Sequence, residues 1–78
     1  MPARPLHALN ADDRATVVRV NGDFALRERF AALGVRPGRT IRVVRRLGGR
    51  GPLQVRVDHT DLVLRAAEAA QIDVEAER

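Results

Sequence analysis

The chain has no cysteine, lysine, serine, tyrosine or tryptophan, and each absence removes a class of explanation. Without cysteine, neither disulfides nor thiolate metal sites can reinforce the fold, so stability must come from packing and β pairing. Without serine or cysteine, the usual hydrolase nucleophiles are missing. The threonines have no recognisable base partner, so no catalytic residue is nominated. The only aromatics, Phe24 and Phe30, are both expected in the core from the helix pattern, which leaves no stacking platform for single-stranded nucleic acid. No apolar run approaches the roughly 20 residues needed to span a bilayer. The first nine residues also lack the continuous apolar stretch of a secretion signal. Together these absences point to a cytoplasmic protein, neither secreted nor membrane-embedded.

What is present is arginine. All 14 basic residues are Arg, set against 10 acids for a net charge of +4. With almost nothing titrating between the terminal amine and the guanidinium groups, a small excess drives the isoelectric point very high, so the placement of charge is the better guide. Residues 1–28 hold four Arg and four acids; residues 29–57 hold eight Arg and no acid; residues 58–78 hold six acids and two Arg. A chain of 78 residues with 45% apolar content fits one domain, residues 1–78 with its core over about 6–75. That is enough for one small core but not for a core plus an enclosed catalytic cleft, so function is expected on the surface.

Leu6 and Leu9 lie in an N-terminal segment able to cover one end of the core, and residues 15–20 read as a first strand. Asn21, Gly22 and Asp23 break that strand, and Asp23 suits an N-cap because its carboxylate can accept an orphan amide hydrogen. A short helix is expected over residues 24–33, with Leu26, Phe30 and Leu33 forming its apolar stripe. Gly34 suits the left-handed position after the helix, with Val35 packing back on the last turn. Pro37 and Gly38 suit the second and third positions of the following turn. A second strand over residues 40–46 sets Ile41, Val43 and Arg45 on one face against Arg42, Val44 and Arg46 on the other. Gly48, Gly49, Gly51 and Pro52 form a loop into a third strand over residues 53–57. Asp58 and His59 make a hairpin turn into a fourth strand, in which Leu62 and Leu64 share a face. Residues 66–71 favour one helical turn, and residues 72–75 a closing strand. The expected domain is mainly β: five strands, one short helix after strand one, and a helical turn before the last strand.

The run Arg29-Phe30-Ala31-Ala32-Leu33-Gly34-Val35-Arg36-Pro37-Gly38 resembles the RL-x-x-LG-x-x-PG segment of the ferrous iron transport protein A (FeoA) family. Gly51-Pro52-Leu53, Leu62-Val63-Leu64-Arg65 and Glu68-Ala69-Ala70-Gln71-Ile72-Asp73-Val74 resemble its later segments, so the resemblance covers nearly the whole chain. Phe30 stands where Leu is usual, Asp12-Asp13 replaces a Pro-Gly-like turn, and His59 takes a position usually held by Gly. The resemblance implies a five-stranded SH3-like barrel without catalytic activity. It also implies a role in ferrous iron uptake through the cytoplasmic face of the membrane transporter FeoB, whose GTPase domain is a plausible contact.

His59, with Asp58 and Asp61 beside it, is the tempting metal ligand, but Asp and His also suit the left-handed backbone of a tight hairpin. His7 supplies no second ligand at a motif spacing, so neither a metal nor a cofactor is expected. The Gly48-to-Gly51 loop lacks the Lys-Ser/Thr ending of a phosphate-binding loop and opens a strand. The partner-binding candidates are therefore Arg36, Arg39, Arg42, Arg46, Arg50 and Arg56. Arg42, Arg46 and Arg56 are expected on one exposed face, for docking to an acidic protein surface or, peripherally, an anionic membrane. Nucleic acid is the rival partner, in a free-standing regulatory barrel. Asp23, Gly34, Pro37, Gly38, Gly51, Pro52, Asp58 and His59 are assigned to turns and caps.

Overall fold

Alternating apolar residues on short segments build the sheet wall, and its inward positions are filled by Val, Ile and Leu. The computed structural model describes residues 3–77. In chain order these form β1 (Arg4–Pro5), a 3-10 turn (Leu6–Ala8), β2 (Arg14–Val20), α1 (Phe24–Ala32), β3 (Thr40–Arg46), β4 (Leu53–Val57), β5 (Thr60–Leu64), α2 (Ala66–Ala69) and β6 (Ile72–Ala76). All pairings are antiparallel, in the order β1-β6-β2-β3-β4-β5. The expected five strands become six because Arg4–Pro5 pairs with Val74 and Asp73 of β6. A two-residue strand containing proline carries no alternation that a sequence pattern could reveal.

The sheet curls on itself. Six strands about 4.8 Å apart would make a wide, thin slab if flat, whereas the three extents are nearly equal at 28, 26 and 24 Å. Among the described residues no ladder joins the edge strands β1 and β5, so the wall is curled rather than a closed cylinder. Inside lie Leu6, Leu9, Ala15, Val17, Phe30, Val35, Ile41, Val43, Leu53, Val55, Val57, Leu64, Ala69, Ile72 and Val74, with no buried charged residue among those described. Leu6 and Leu9 enter from the N-terminal segment, as its pattern suggests.

The cap and turn residues do what their chemistry dictates. The Asp23 carboxylate accepts the Leu26 amide hydrogen at 2.8 Å. At the other end of α1, Gly34 adopts φ +93°. The Val35 amide returns to the Phe30 carbonyl at 2.8 Å and the Gly34 amide to that of Ala31 at 3.0 Å, the paired bonds of a Schellman ending. Gly38 has φ +91°, and the Arg39 amide closes its turn on the Arg36 carbonyl at 3.1 Å. A Cβ on Gly51 would sit 1.9 Å from the Leu47 carbonyl oxygen, so the loop before β4 requires glycine there. The Leu47 amide reaches across that loop to the Pro52 carbonyl at 2.8 Å. In the β4–β5 hairpin, Val57 pairs with Thr60, and Asp58 alone of the two turn residues has a positive φ, at +55°.

Two helix assignments need correction. Leu33 belongs to the expected apolar stripe but is 40% exposed, because the helix ends at it and the reversal through Gly34 brings Val35 into the core instead. Phe24, also expected in the core, is 68% exposed. At 3.6 residues per turn it lies about 200° around the helix from Leu26 and about 120° from the buried Phe30, off the buried stripe.

Candidate functional site

The register of the central strands brings arginines together. Arg14 of β2 pairs with Arg42 of β3, Arg42 with Arg56 of β4, and Arg56 with Asp61 of β5. Directly paired residues project from the same face, so three guanidinium groups and one carboxylate form a row across the outside of the sheet. Like charges directly opposite each other on neighbouring strands are destabilising. Only part of that repulsion is relieved internally. Arg56 grips Asp61 through two bonds, at 2.6 and 3.1 Å. The Asp61 carboxyl is held below its usual range first by this Arg56 hydrogen bond, with the charges of Arg56 and Arg42 adding to it. Arg42 comes no closer than 4.0 Å to the carboxylate of Asp12, and Arg14 makes no ion pair among the described residues. The three arginines of the row, with Thr40 and Asp58, line a shallow open depression.

Of the six expected partner-binding arginines, Arg42 and Arg56 stand side by side in this row. Arg39 lies near it, half-buried and paired with Asp58 at 3.2 Å. Arg50 is exposed in the glycine loop, and Arg36 is exposed in the turn after α1, beside a different part of the surface.

Arg46 is a correction. The β3–β4 register shifts between Val43 and Arg45, so Val44 is an extra residue on β3. Beyond this bulge Arg45 pairs with Gln54 and Arg46 with the buried Leu53, which reverses the expected faces. The Arg46 guanidinium donates to the backbone carbonyls of His7 at 2.7 Å and Leu9 at 3.0 Å. It holds the N-terminal segment over the core and is not available on the outer face. Arg45 takes the outward place, bonded to Gln54 at 2.9 Å. Arg14 lies outside the acid-free block, and only strand register places it next to Arg42.

The acid-free block is also less bare in space than in sequence. Acids from elsewhere reach four of its arginines: Asp58 to Arg39, Asp61 to Arg56, Asp12 to Arg42 and Glu68 to Arg29. Glu68 ties α2 to α1. It accepts the Arg65 amide at 2.9 Å, which holds its carboxyl low, and the Arg29 contact adds to that. On the far side of β2, Asp73 accepts from Asn21 at 3.0 Å and Arg19 at 2.9 Å and is held low by both. Among the described residues no three His, Asp or Glu side chains cluster as a metal-holding group, and His59 stays in its turn.

A curled antiparallel sheet whose outer face carries paired charges makes a small β domain of the SH3-like kind. Comparison with known proteins specifies it further. The chain belongs to the FeoA family, whose FeoA domain matches residues 4–76. It is 37% identical over 70 residues to the Fe(2+) transport protein A/Fe(2+) transporter FeoB fusion protein of Porphyromonas gingivalis, covering 90% of this chain and 8% of that protein. The solution structure of FeoA from Chlorobium tepidum superposes with a TM-score of 0.89 at 32% identity, over 95% of this chain and 70% of that one. The zinc-complexed FeoA of Stenotrophomonas maltophilia, described as a prokaryotic SH3 domain protein, superposes at 0.81 with 30% identity, over 100% and 98%.

Proposed function

We propose that this domain is a non-catalytic, cytoplasmic interaction module that supports ferrous iron uptake by docking on the cytoplasmic side of a FeoB transporter, with the GTPase domain as the contact. The observation that carries this reading is covalent: in Porphyromonas gingivalis a domain 37% identical to this chain is joined to the transporter in one polypeptide. A tether of that kind raises the effective concentration of a domain that works by contact. The row of Arg14, Arg42 and Arg56 supplies the physical means. Its repulsion is only partly offset by Asp61 and Asp12, so an acidic partner surface would relieve it and accelerate encounter.

The test is binding of the purified domain to the soluble cytoplasmic portion of the FeoB from the same organism, over a range of salt concentrations. The Arg14→Gln/Arg42→Gln double variant is expected to associate more slowly, with the wild-type advantage shrinking as salt screens the row. A random-sequence DNA duplex serves as the parallel arm. Absence of transporter binding overturns the reading. Tight duplex binding that falls log-linearly with salt and is lost in the double variant would reassign the row to phosphate contact.

A further inference from the structure

The second surface of interest lies away from the arginine row. Phe24, Arg27, Glu28 and Ala31 recur at the three- and four-residue spacing that puts them on one stripe of α1, the stripe turned away from Phe30. With this stripe, Val35, Arg36 and Pro37 after the helix and Val20 at the end of β2 line one groove. The result is an open groove of about 320 Å³ with an apolar lining of Val20, Phe24, Ala31, Val35 and Pro37.

Two facts argue that the groove is built to be covered. Phe24 is one of only two aromatic residues in the chain, and it is 68% exposed here while Phe30 fills the core. Exposed aromatic side chains beside arginines are the composition of binding anchors, not of ordinary solvated surface. The second fact is electrostatic: Arg27 on the helix wall and Arg36 on the turn wall make no ion pair or side-chain hydrogen bond among the described residues. With Glu28 the groove carries a net charge of +1, with one unpaired guanidinium on each wall.

We propose that this groove binds a short acidic segment of a partner protein, which inserts one bulky aliphatic or aromatic side chain between Phe24 and Pro37 and pairs carboxylates with Arg27 and Arg36. The inserted side chain supplies the desolvated contact that a row of solvated arginines cannot, and the two guanidinium groups select acidic flanks. This inference concerns a different surface from the arginine row and stands whether or not the partner is FeoB.

The test is a titration of the 15N-labelled domain with an acetylated hexapeptide of two glutamates, leucine, phenylalanine and two glutamates, followed by amide chemical shifts. A second arm uses the same peptide with lysine in place of every glutamate. Saturable shifts centred on Phe24, Arg27, Ala31 and Val35 are expected with the acidic peptide, and at least about tenfold weaker binding with the basic one. Phe24→Ala should lower affinity about tenfold or more while leaving the melting temperature little changed, since the ring is 68% exposed. Arg27→Gln/Arg36→Gln should weaken the acidic peptide and erase the discrimination between the two. The absence of saturable shifts into the millimolar range, equal binding of both peptides, or shifts centred elsewhere would overturn the proposal. Shifts at the groove that grow with protein concentration in the absence of peptide would overturn it in favour of a second copy of the chain as the occupant.

Discussion

The two halves of β3 carry the same residue types to opposite ends. Before the bulge, Arg42 stands on the outer face between Arg14 and Arg56, with no carboxylate of the described residues nearer than 4.0 Å. After it, Arg46 lies on the inner side opposite Leu53 and is held by two backbone carbonyls. Four residues apart on a regular strand, the two would share a face; one extra residue, Val44, reverses that. The lesson is that an arginine's role here follows from its partners. Neutral carbonyls make Arg46 part of the scaffold, and like-charged neighbours leave Arg42 on the outer face with its repulsion only partly relieved.

The largest expected effect tests the scaffold side. Leu53→Ala removes a fully buried side chain beside Arg46 and should cost about 2–5 kcal/mol, read as a lowered denaturant midpoint. Leu53 behaving as a tolerant surface position would break the comparison at its root. Next, Arg46→Gln shortens the side chain beyond reach of the His7 and Leu9 carbonyls. It should cost about 1.5–3 kcal/mol, the worth of hydrogen bonds from a charged donor. Coupling between the two changes, beyond simple addition, should appear in the double variant because the residues are in register.

Acid should separate the two halves further. Asp61, Glu68 and Asp73 are each held below the usual carboxylate range, by Arg56, by the Arg65 amide and by Asn21 respectively. A folded carboxylate that resists protonation contributes stability above its unfolded pKa of about 4 and loses it as pH falls through the lower folded value. Thermal melts should therefore hold steady above about pH 5 and fall below it. The Arg46 contacts are to backbone carbonyls and include no carboxylate, so the difference between wild type and Arg46→Gln should persist through that window. The smallest expected effect lies on the outer row: Arg42→Gln should change stability by no more than about 0.5 kcal/mol. A larger loss of stability in Arg42→Gln than in Arg46→Gln would reverse the assignment of roles.

Local chemistry made much of the fold legible. Asp23, Gly34, Pro37, Gly38 and Gly51 are readable because caps and turns depend on one residue's hydrogen bonding or backbone freedom. The alternation in β4 is readable because the period of two survives unbroken. The apolar content of the helix as a whole suggests a core place for Phe24, whereas its angular spacing from Leu26 and Phe30 puts it off the buried stripe. Of the candidate site, alternation alone places Arg42 and Arg56 on the outer face, whereas it puts Arg46 on the wrong face and says nothing of Arg14.

The sequence by itself determined the positions of the caps, the turns and most strands, together with the family resemblance, because each rests on residues close in the chain. Only the tertiary structure decided which arginines stand together, which acids from distant segments neutralise them, and that a two-residue strand at the N-terminus joins the sheet. Those outcomes depend on strand register, and one bulge residue changes the facing of every side chain beyond it without leaving a mark in composition or spacing.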